Sequence, residues 1–263
     1  MIEAVLALMF GLLIGSFLNV CIHRWPRGRS VVRPRSHCVR CRKTIAWYDN
    51  VPVVSYLLLR GRCRYCGRHI SARYPTVELL TGAVFFYFFW TRGPGLPAVK
   101  LCVFGAMLIA LIFSDLEKRI LPDELTLGGA MIGLALAPFV PLHDESSMGL
   151  FWLLGFDFSG RVLSLCQAAL GAAIPALFLW GGGWLYLKVR HREGLGLGDV
   201  KLMVMIGAFL GLQATLKTLL IGSLSGSVIS LLYIWISKKD ASTYELPFGT
   251  FLAGAALAVA MVG

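Results

Sequence analysis

Two aspartates stand at the edges of apolar runs and are the first candidates for chemistry. Asp115 directly follows the run LIALIFS, and Asp199 follows the alternating glycines of GLGLGDVKLM (194–203). An ionisable group inside a membrane bundle is unfavourable, so each is a candidate functional residue. Two carboxylates on different helices at one depth predict a pair in which one group is the acid and the other the base that activates water. Such a pair hydrolyses an amide without a covalent intermediate.

The glycines before Asp199 have two interpretations. Gly194, Gly196 and Gly198 remove side chains at alternate positions, which lets an extended substrate backbone approach the carboxylate. They equally fit a flexible loop that ends in an aspartate N-cap, and this segment alone does not choose between the two. Lys201 either neutralises charge near the pair or extends to the membrane interface.

Asp123 competes with Asp115 as a candidate, because it lies nearby in LPDELTL. Pro122 predicts a helix start at this point, which makes Asp123 and Glu124 first-turn acids that complement the helix dipole. We therefore rank Asp123 below Asp115.

Four cysteines form a second candidate site. They occur in CVRC and CRYC, separated by 21 residues, and are Cys38, Cys41, Cys63 and Cys66. Two C-x-x-C turns at this spacing predict a zinc ribbon with a closed, structural Zn²⁺ site. His37 and His69 adjoin the pairs and are alternative ligands. Two disulfides are disfavoured in a reducing compartment, and a redox pair lacks its βαβ context. A polar loop of this length buries little core, so the metal is expected to fold it.

Apolar helices must position both sites. Of the 263 residues 57% are hydrophobic and 15% charged, and the mean hydropathy is +0.73, which predicts a membrane protein. We expect an all-α polytopic bundle of about eight transmembrane helices, with the zinc-ribbon-like loop between the first two. The apolar runs are 2–22, 76–91, 98–114, 124–141, 161–187, the short 199–212, 216–236 and 247–263.

The net charge of +11 comes mainly from one loop. Residues 23–75 hold thirteen of the 25 Lys and Arg residues against a single acid, Asp49. Lys and Arg residues accumulate in cytoplasmic loops, so this loop is expected on the cytoplasmic side. With about eight spans, both termini are then extracytoplasmic. Other basic residues expected on that side are Lys118, Arg119, Lys188, Arg190, Arg192, Lys238 and Lys239, with the acidic HDESS (143–147) opposite. Such charge favours anionic membrane lipids as partners, not nucleic acid.

Four segments occur in a combination that has a known counterpart. They are GSFLNVCIHRWPRG (15–28), the cysteine-bearing stretch 36–78, DLEKRILPDELTL (115–127) and GLGLGDVKLM (194–203). Together they resemble the type IV prepilin peptidases, which are leader peptidases and N-methyltransferases. The resemblance implies a Gly-x-Gly-Asp aspartic protease of the bacterial inner membrane. It would cut the basic leader of a type IV prepilin or pseudopilin after a glycine, on the cytoplasmic side.

The resemblance also assigns residues and a second activity. It implies the catalytic pair Asp115 and Asp199, the four cysteine ligands, and methylation of the new N-terminus with S-adenosylmethionine. Because no Rossmann fingerprint is present, we expect the methyl donor where the loop meets the membrane. Candidate residues are Asn19, Arg24, Asp49, Gly61 and Glu78; Arg24 and Asp49 equally fit a role in holding the loop together.

The expected domains are a first transmembrane helix (1–22), a cytoplasmic zinc-binding and methyltransferase-associated domain (23–75) and a seven-helix peptidase domain (76–263). Alternatives are a peptidase alone, an ion or proton transporter that uses Asp115 and Asp199, and a zinc-ribbon adaptor without enzymatic activity. No convincing inverted repeat is present, which disfavours transport.

Overall fold

The computed structural model describes residues 1–142, 144–153, 155, 158–192, 194–237 and 247–263. Within them the chain forms nine α-helices and no named strand. The helices are α1 (Ile2–Arg24), α2 (Val54–Leu58), α3 (Arg73–Arg92), α4 (Leu96–Lys118), α5 (Asp123–Leu136), α6 (Glu145–Leu153), α7 (Gly160–Arg190), α8 (Leu197–Ser237) and α9 (Phe248–Val262). The all-α prediction is therefore confirmed. Lys238 and Lys239, expected on the cytoplasmic side, lie outside the described residues.

Four helices of the described part are long and apolar enough to cross a bilayer. They are α1 with the turn that follows it, α4, α7 and α8. The chain is therefore a membrane protein. The number of eight spans stays a prediction, because α5 has only 14 residues and reaches about 21 Å. The two runs expected at 199–212 and 216–236 both lie in α8, whose 41 residues are interrupted at Gly211.

The chain divides into two compact units, Met1–Ala110 and Leu111–Gly263. In the first unit, α1 and α3 pack backbone to backbone through small residues. A Cβ atom at Gly11 would lie 2.9 Å from Gly82 Cα, and one at Gly15 would lie 2.7 Å from Glu78 Cα. These pairs run in opposite directions along the two helices, which are therefore antiparallel. Small residues permit such close approach in apolar surroundings.

In the second unit, α8 lies between α5, α7 and α9 and contacts all three. Its closest approach is to α7, where a Cβ atom at Gly207 would lie 2.0 Å from the carbonyl oxygen of Gly171. Further along α8, Gly211 leaves the helical region with φ 80° and ψ −178°. A residue without a side chain adopts this conformation most readily.

Asp144 caps the second half of α8. Its Oδ2 accepts a hydrogen bond from the N–H of Leu212 at 2.5 Å, and its Oδ1 accepts one from Gln213 at 3.3 Å. The side chain belongs to the acidic segment expected in a loop, yet Asp144 is only 2% exposed. It supplies acceptors for the N–H groups that the break at Gly211 leaves without a helical partner. Asp199 and Gly211 are about 18 Å apart along the helix, so the cap and Asp199 lie at opposite ends of this half.

Candidate active site and metal centre

Asp115 lies in the last turns of α4 and is 5% exposed. Its Oδ2 accepts two hydrogen bonds from Thr250, one from the backbone N–H at 2.7 Å and one from the hydroxyl at 2.8 Å. Thr250 lies in the first turn of α9, a helix whose N-cap residue is Pro247. First-turn N–H groups have no acceptor inside their own helix, so this helix start provides a donor for Asp115.

Asp199 approaches the same helix start from α8. A Cβ atom at Gly249 would lie 3.2 Å from Asp199 Oδ1 and 2.9 Å from Leu121 Cδ1, so a larger residue there would press on both side chains. Asp115 is close enough for its charge to repel that of Asp199. The two aspartates singled out by sequence thus meet at the first turn of α9. Their catalytic role stays a prediction.

Gly249 and Thr250 were missed by sequence reasoning. The signal available was Pro247 in front of an apolar run, which marks a helix start. Nothing local indicates that this start faces Asp115, which is 135 residues earlier in the chain.

The glycines before Asp199 differ in their surroundings. A Cβ atom at Gly196 would be 3.5 Å from Asp199 Oδ2, and one at Gly198 would be 3.4 Å from Leu121, which are ordinary contacts. Gly194 differs, because a Cβ atom there would be 2.5 Å from the ring of Tyr186. Close packing explains Gly194, whereas Gly196 lacks the side chain that would contact Asp199 Oδ2.

Lys201 has an acidic partner at the edge of the site. Its Nζ binds both carboxylate oxygens of Asp123, at 2.7 and 2.9 Å. The pair joins the first turn of α8 to the first turn of α5. Because both side chains are partly exposed, it contributes little stability. Asp123 is therefore a partner of Lys201 and not a member of the aspartate pair.

The four predicted cysteines form one cluster. Their Sγ atoms all lie within 4.8 Å of one another, and Cys38 Sγ and Cys66 Sγ are 3.9 Å apart. A tetrahedral zinc–thiolate site with Zn–S bonds of about 2.3 Å has sulfurs about 3.8 Å apart. All four cysteines are free. Their mutual spacing fits a four-thiolate metal site, and among the described residues neither His37 nor His69 belongs to the cluster.

The two cysteine turns have the same backbone design. In the first, the N–H of Cys38 bonds to Lys43 O and the N–H of Arg42 bonds to Cys38 O. In the second, Cys63 and Gly67 make the corresponding bonds. The residue after each second cysteine is left-handed, with φ 58° at Arg42 and 64° at Gly67. Such a conformation is easy for glycine and strained for arginine.

Backbone N–H groups of the second turn also affect the pKa values of its cysteine thiols. The N–H groups of Cys66 and Tyr65 lower the pKa of Cys63 to about 7. At Cys66 the N–H of Arg68 acts in the same direction, but burial and the neighbouring sulfurs raise its pKa to about 11. Four close sulfurs cannot all ionise without a compensating cation, which is what a divalent metal supplies.

Arg24 and Asp49 both hold the loop together. Arg24 is buried, and its guanidinium donates to the carbonyl oxygens of Ser30, Val31 and Pro34. Asp49 accepts two hydrogen bonds from Arg64, at 2.7 and 2.6 Å. This bidentate contact lowers the pKa of Asp49 below its usual value.

The other three candidate donor-site residues also have protein partners. These are Tyr74 O for the amide of Asn19, the Tyr56 backbone for Gly61 and the Val53 N–H for Glu78. A cavity of about 320 Å³ lies beside α1, and of the five candidates Arg24 lines it. The lining contains no carboxylate to face a sulfonium cation. This cavity does not bring the five residues together, and their assignment to the methyl donor stays a prediction.

Comparison with known proteins gives a consistent relationship. Residues 9–92 match a family model described as the bacterial peptidase A24 N-terminal domain, and residues 102–231 match the type IV leader peptidase family. A protein of Myxococcus xanthus (strain DK1622) named prepilin leader peptidase/N-methyltransferase is 42% identical over 92% of this chain and 66% of its own length. Proteins of the same name from Aeromonas salmonicida (strain A449) and Klebsiella pneumoniae are 35% and 37% identical over 94% and 81% of this chain, and over 87% of their own lengths. No solved structure matches the chain.

Proposed function

Because this chain belongs to the type IV leader peptidase family, we propose that it is an aspartic membrane peptidase that removes the leader of a type IV prepilin or pseudopilin. The observation that carries the proposal is the meeting of Asp115 and Asp199 at the first turn of α9. A buried carboxylate and a half-buried one within reach of each other's charge are suited to share one proton.

The surroundings of the two carboxylates suggest a division of roles. Asp115 accepts two hydrogen bonds from Thr250, which stabilise its ionised form and make it the base. Asp199 faces the charge of Asp115 and holds the shared proton. Asp115 takes a proton from water, whose oxygen attacks the scissile carbonyl carbon, while Asp199 protonates the carbonyl oxygen. As the tetrahedral intermediate breaks, the proton held by Asp115 passes to the leaving amine, and a hydroxyl proton of the intermediate returns to Asp199.

The substrate backbone is proposed to lie along Gly196 and Gly198. A Cβ atom at Gly196 would contact Asp199 Oδ2, so the absence of a side chain there lets an extended peptide without large side chains at the scissile bond approach the carboxylate. A glycine immediately before the cleaved bond is consistent with a surface that excludes large side chains.

The cysteine cluster is proposed to hold a structural Zn²⁺. Its four thiolates complete a tetrahedral site, so no position remains for water or substrate. The metal would neutralise the clustered sulfur charge and cross-link the two turns, which otherwise share little buried surface.

Methylation of the cleaved N-terminus is the proposed second activity. It is supported by the shared name of the relatives and by the complete cysteine loop. S-adenosylmethionine supplies an electrophilic methyl group to an uncharged amine. The residues that bind it are not assigned.

We further propose that about eight spans cross the bacterial inner membrane, with the basic loop and the aspartate pair on the cytoplasmic side and both termini outside. The thirteen basic residues of 23–75 support this orientation. Prepilins and lipids are the expected partners.

The test is cleavage of a prepilin-like peptide by the purified full chain in lipid. Asp115→Asn and Asp199→Asn should each abolish cleavage, since each loses half of the acid–base pair. Asp123→Asn is the matched control, because Asp123 is an exposed acid bound to Lys201. This variant should cleave the peptide normally. Full cleavage activity of Asp115→Asn or of Asp199→Asn would contradict the mechanism.

Methylation is tested in the same reaction. Added S-adenosylmethionine should increase the mass of the mature peptide by one methyl group. Complete cleavage without this increase would leave a peptidase alone.

A further inference from the structure

An exposed apolar surface lies within the basic loop and has no role in either proposed reaction. It is formed by residues 47–58, called here the apolar segment, which include α2. Its most exposed large side chains are Trp47 at 77%, Leu57 at 67% and Leu58 at 78%, with Val51 and Val54 also exposed. Two leucines and a tryptophan that are this exposed in one short stretch mark an interaction surface.

A hydrogen bond fixes the depth of this segment relative to α1 and α3. The N–H of Val53 donates to Glu78 Oε2 at 2.7 Å, and Glu78 packs against Gly15. Gly15 is about 13 Å along α1 from its basic end at Arg24. The Glu78 side chain leans towards the start of α3, which is the same end of this antiparallel pair. Val53 therefore lies closer than Arg24 to the middle of α1, beside the last turns of this transmembrane helix.

The cavity beside α1 places the segment next to the same helix. Its lining includes Trp47 and Asn50 from the loop, together with Phe17, Val20 and Arg24 from α1. Phe17 is about 10 Å along the helix from Arg24, so the cavity extends from the basic end of α1 into its apolar part. The beginning of the apolar segment therefore lies beside the last two turns of α1.

Several N–H groups of the segment have acceptors within the protein, which favours a low-dielectric environment. The N–H of Val51 donates to Ser55 Oγ, and the Ser55 hydroxyl donates to Tyr48 O. The N–H groups of Val53, Val54, Ser55 and Leu57 donate to Glu78, Pro52, Val51 and Val53. These donors do not need water.

Val53 adopts an unusual conformation to make this arrangement. Its φ of 61° and ψ of −49° form a γ-turn, in which the N–H of Val54 bonds to Pro52 O at 2.5 Å. Positive φ is strained for a β-branched residue. The turn points the Val53 N–H at Glu78 and leaves the Val54 side chain exposed. The strain is sustained by contacts that hold the segment at this depth.

We propose that residues 47–58 are inserted into the bilayer leaflet at the Arg24 end of α1, with Trp47, Leu57 and Leu58 against lipid. Exposed tryptophan and leucine side chains are suited to the boundary between headgroups and acyl chains. The surrounding loop is strongly basic, and its one acid, Asp49, is paired with Arg64, so the surface also suits anionic headgroups. The proposal does not depend on the peptidase activity.

The test uses the full chain in vesicles of phosphatidylcholine and phosphatidylglycerol, and follows tryptophan fluorescence. Emission from position 58 is the difference between Leu58→Trp and wild type. Lipids brominated in the upper acyl chain should remove most of this emission, and iodide on both sides of the bilayer should have little effect. Leu57→Trp gives the same test if Leu58→Trp does not fold. Emission of Trp47 itself, taken against Trp47→Phe, should also be quenched by brominated lipid.

The matched control is Val39→Trp, which places a tryptophan at another exposed apolar position of the same loop. Val39 lies between Arg40 and Cys38 in the charged first turn. Its emission should be quenched by iodide and not by brominated lipid. Iodide quenching at position 58 equal to that at position 39 would overturn the proposal. Protection of position 58 only after a prepilin peptide is added would also overturn it, and would assign the surface to substrate.

Discussion

Replacing Thr250 by valine removes the hydroxyl donor from Asp115 while keeping the side-chain shape. The structure shows two donors to the same oxygen, the hydroxyl at 2.8 Å and the backbone N–H at 2.7 Å, so one remains in Thr250→Val. A hydrogen bond to a charged group contributes about 2 kcal/mol. If Asp115 must be ionised to activate water, losing that stabilisation lowers kcat about 30-fold. KM should change little, because Thr250 contacts the base and not the peptide.

The assay is steady-state cleavage of a prepilin peptide by purified variants in lipid. Thr250→Ser keeps a hydroxyl and should retain most of the activity. Thr126→Val is the control, since Thr126 is a buried threonine whose hydroxyl bonds to Pro122 O in its own helix. Wild-type kcat in Thr250→Val, or an equal loss in Thr126→Val, would refute the argument that Thr250 acts through Asp115.

Three further predictions concern stability and metal binding. Gly207→Ala should lower the free energy of unfolding by about 3 kcal/mol, because its Cβ would overlap α7; Gly181→Ala, which meets open space, should not, as thermal unfolding in detergent would show. Asp144→Ala should cost about 2 kcal/mol in the same assay, since the N–H groups at the break in α8 lose their acceptor. A Cys38→Ser and Cys41→Ser double variant should lose bound zinc, measured by elemental analysis, and retained metal would contradict the four-thiolate site.

The cysteine cluster was predictable because its geometry is local. Each C-x-x-C turn is closed by hydrogen bonds within about six residues, so spacing alone determines how the thiols are presented. The sequence did not reveal that the first turn carries Arg42 in the left-handed conformation that Gly67 adopts in the second. That conformation is imposed by the turn and not by the preference of arginine.

The aspartate candidates were predictable from their position at the ends of apolar runs, but their environment was not. Thr250 follows its partner Asp115 by 135 residues and Gly249 follows Asp199 by 50, and no periodicity links a helix start to a particular carboxylate. Asp144 is a similar case. Its segment looks like an acidic surface loop, and only the break at Gly211 explains why the residue is buried.

The order of synthesis determines when Asp115 receives its hydrogen-bond donors from α9. Thr250 follows Asp115 by 135 residues, which a ribosome adds in on the order of ten seconds. During that interval Asp115 is already in the nascent chain but lacks both of its donors. The proposed acid–base centre is therefore complete only after α9 has been synthesised and Thr250 has reached Asp115.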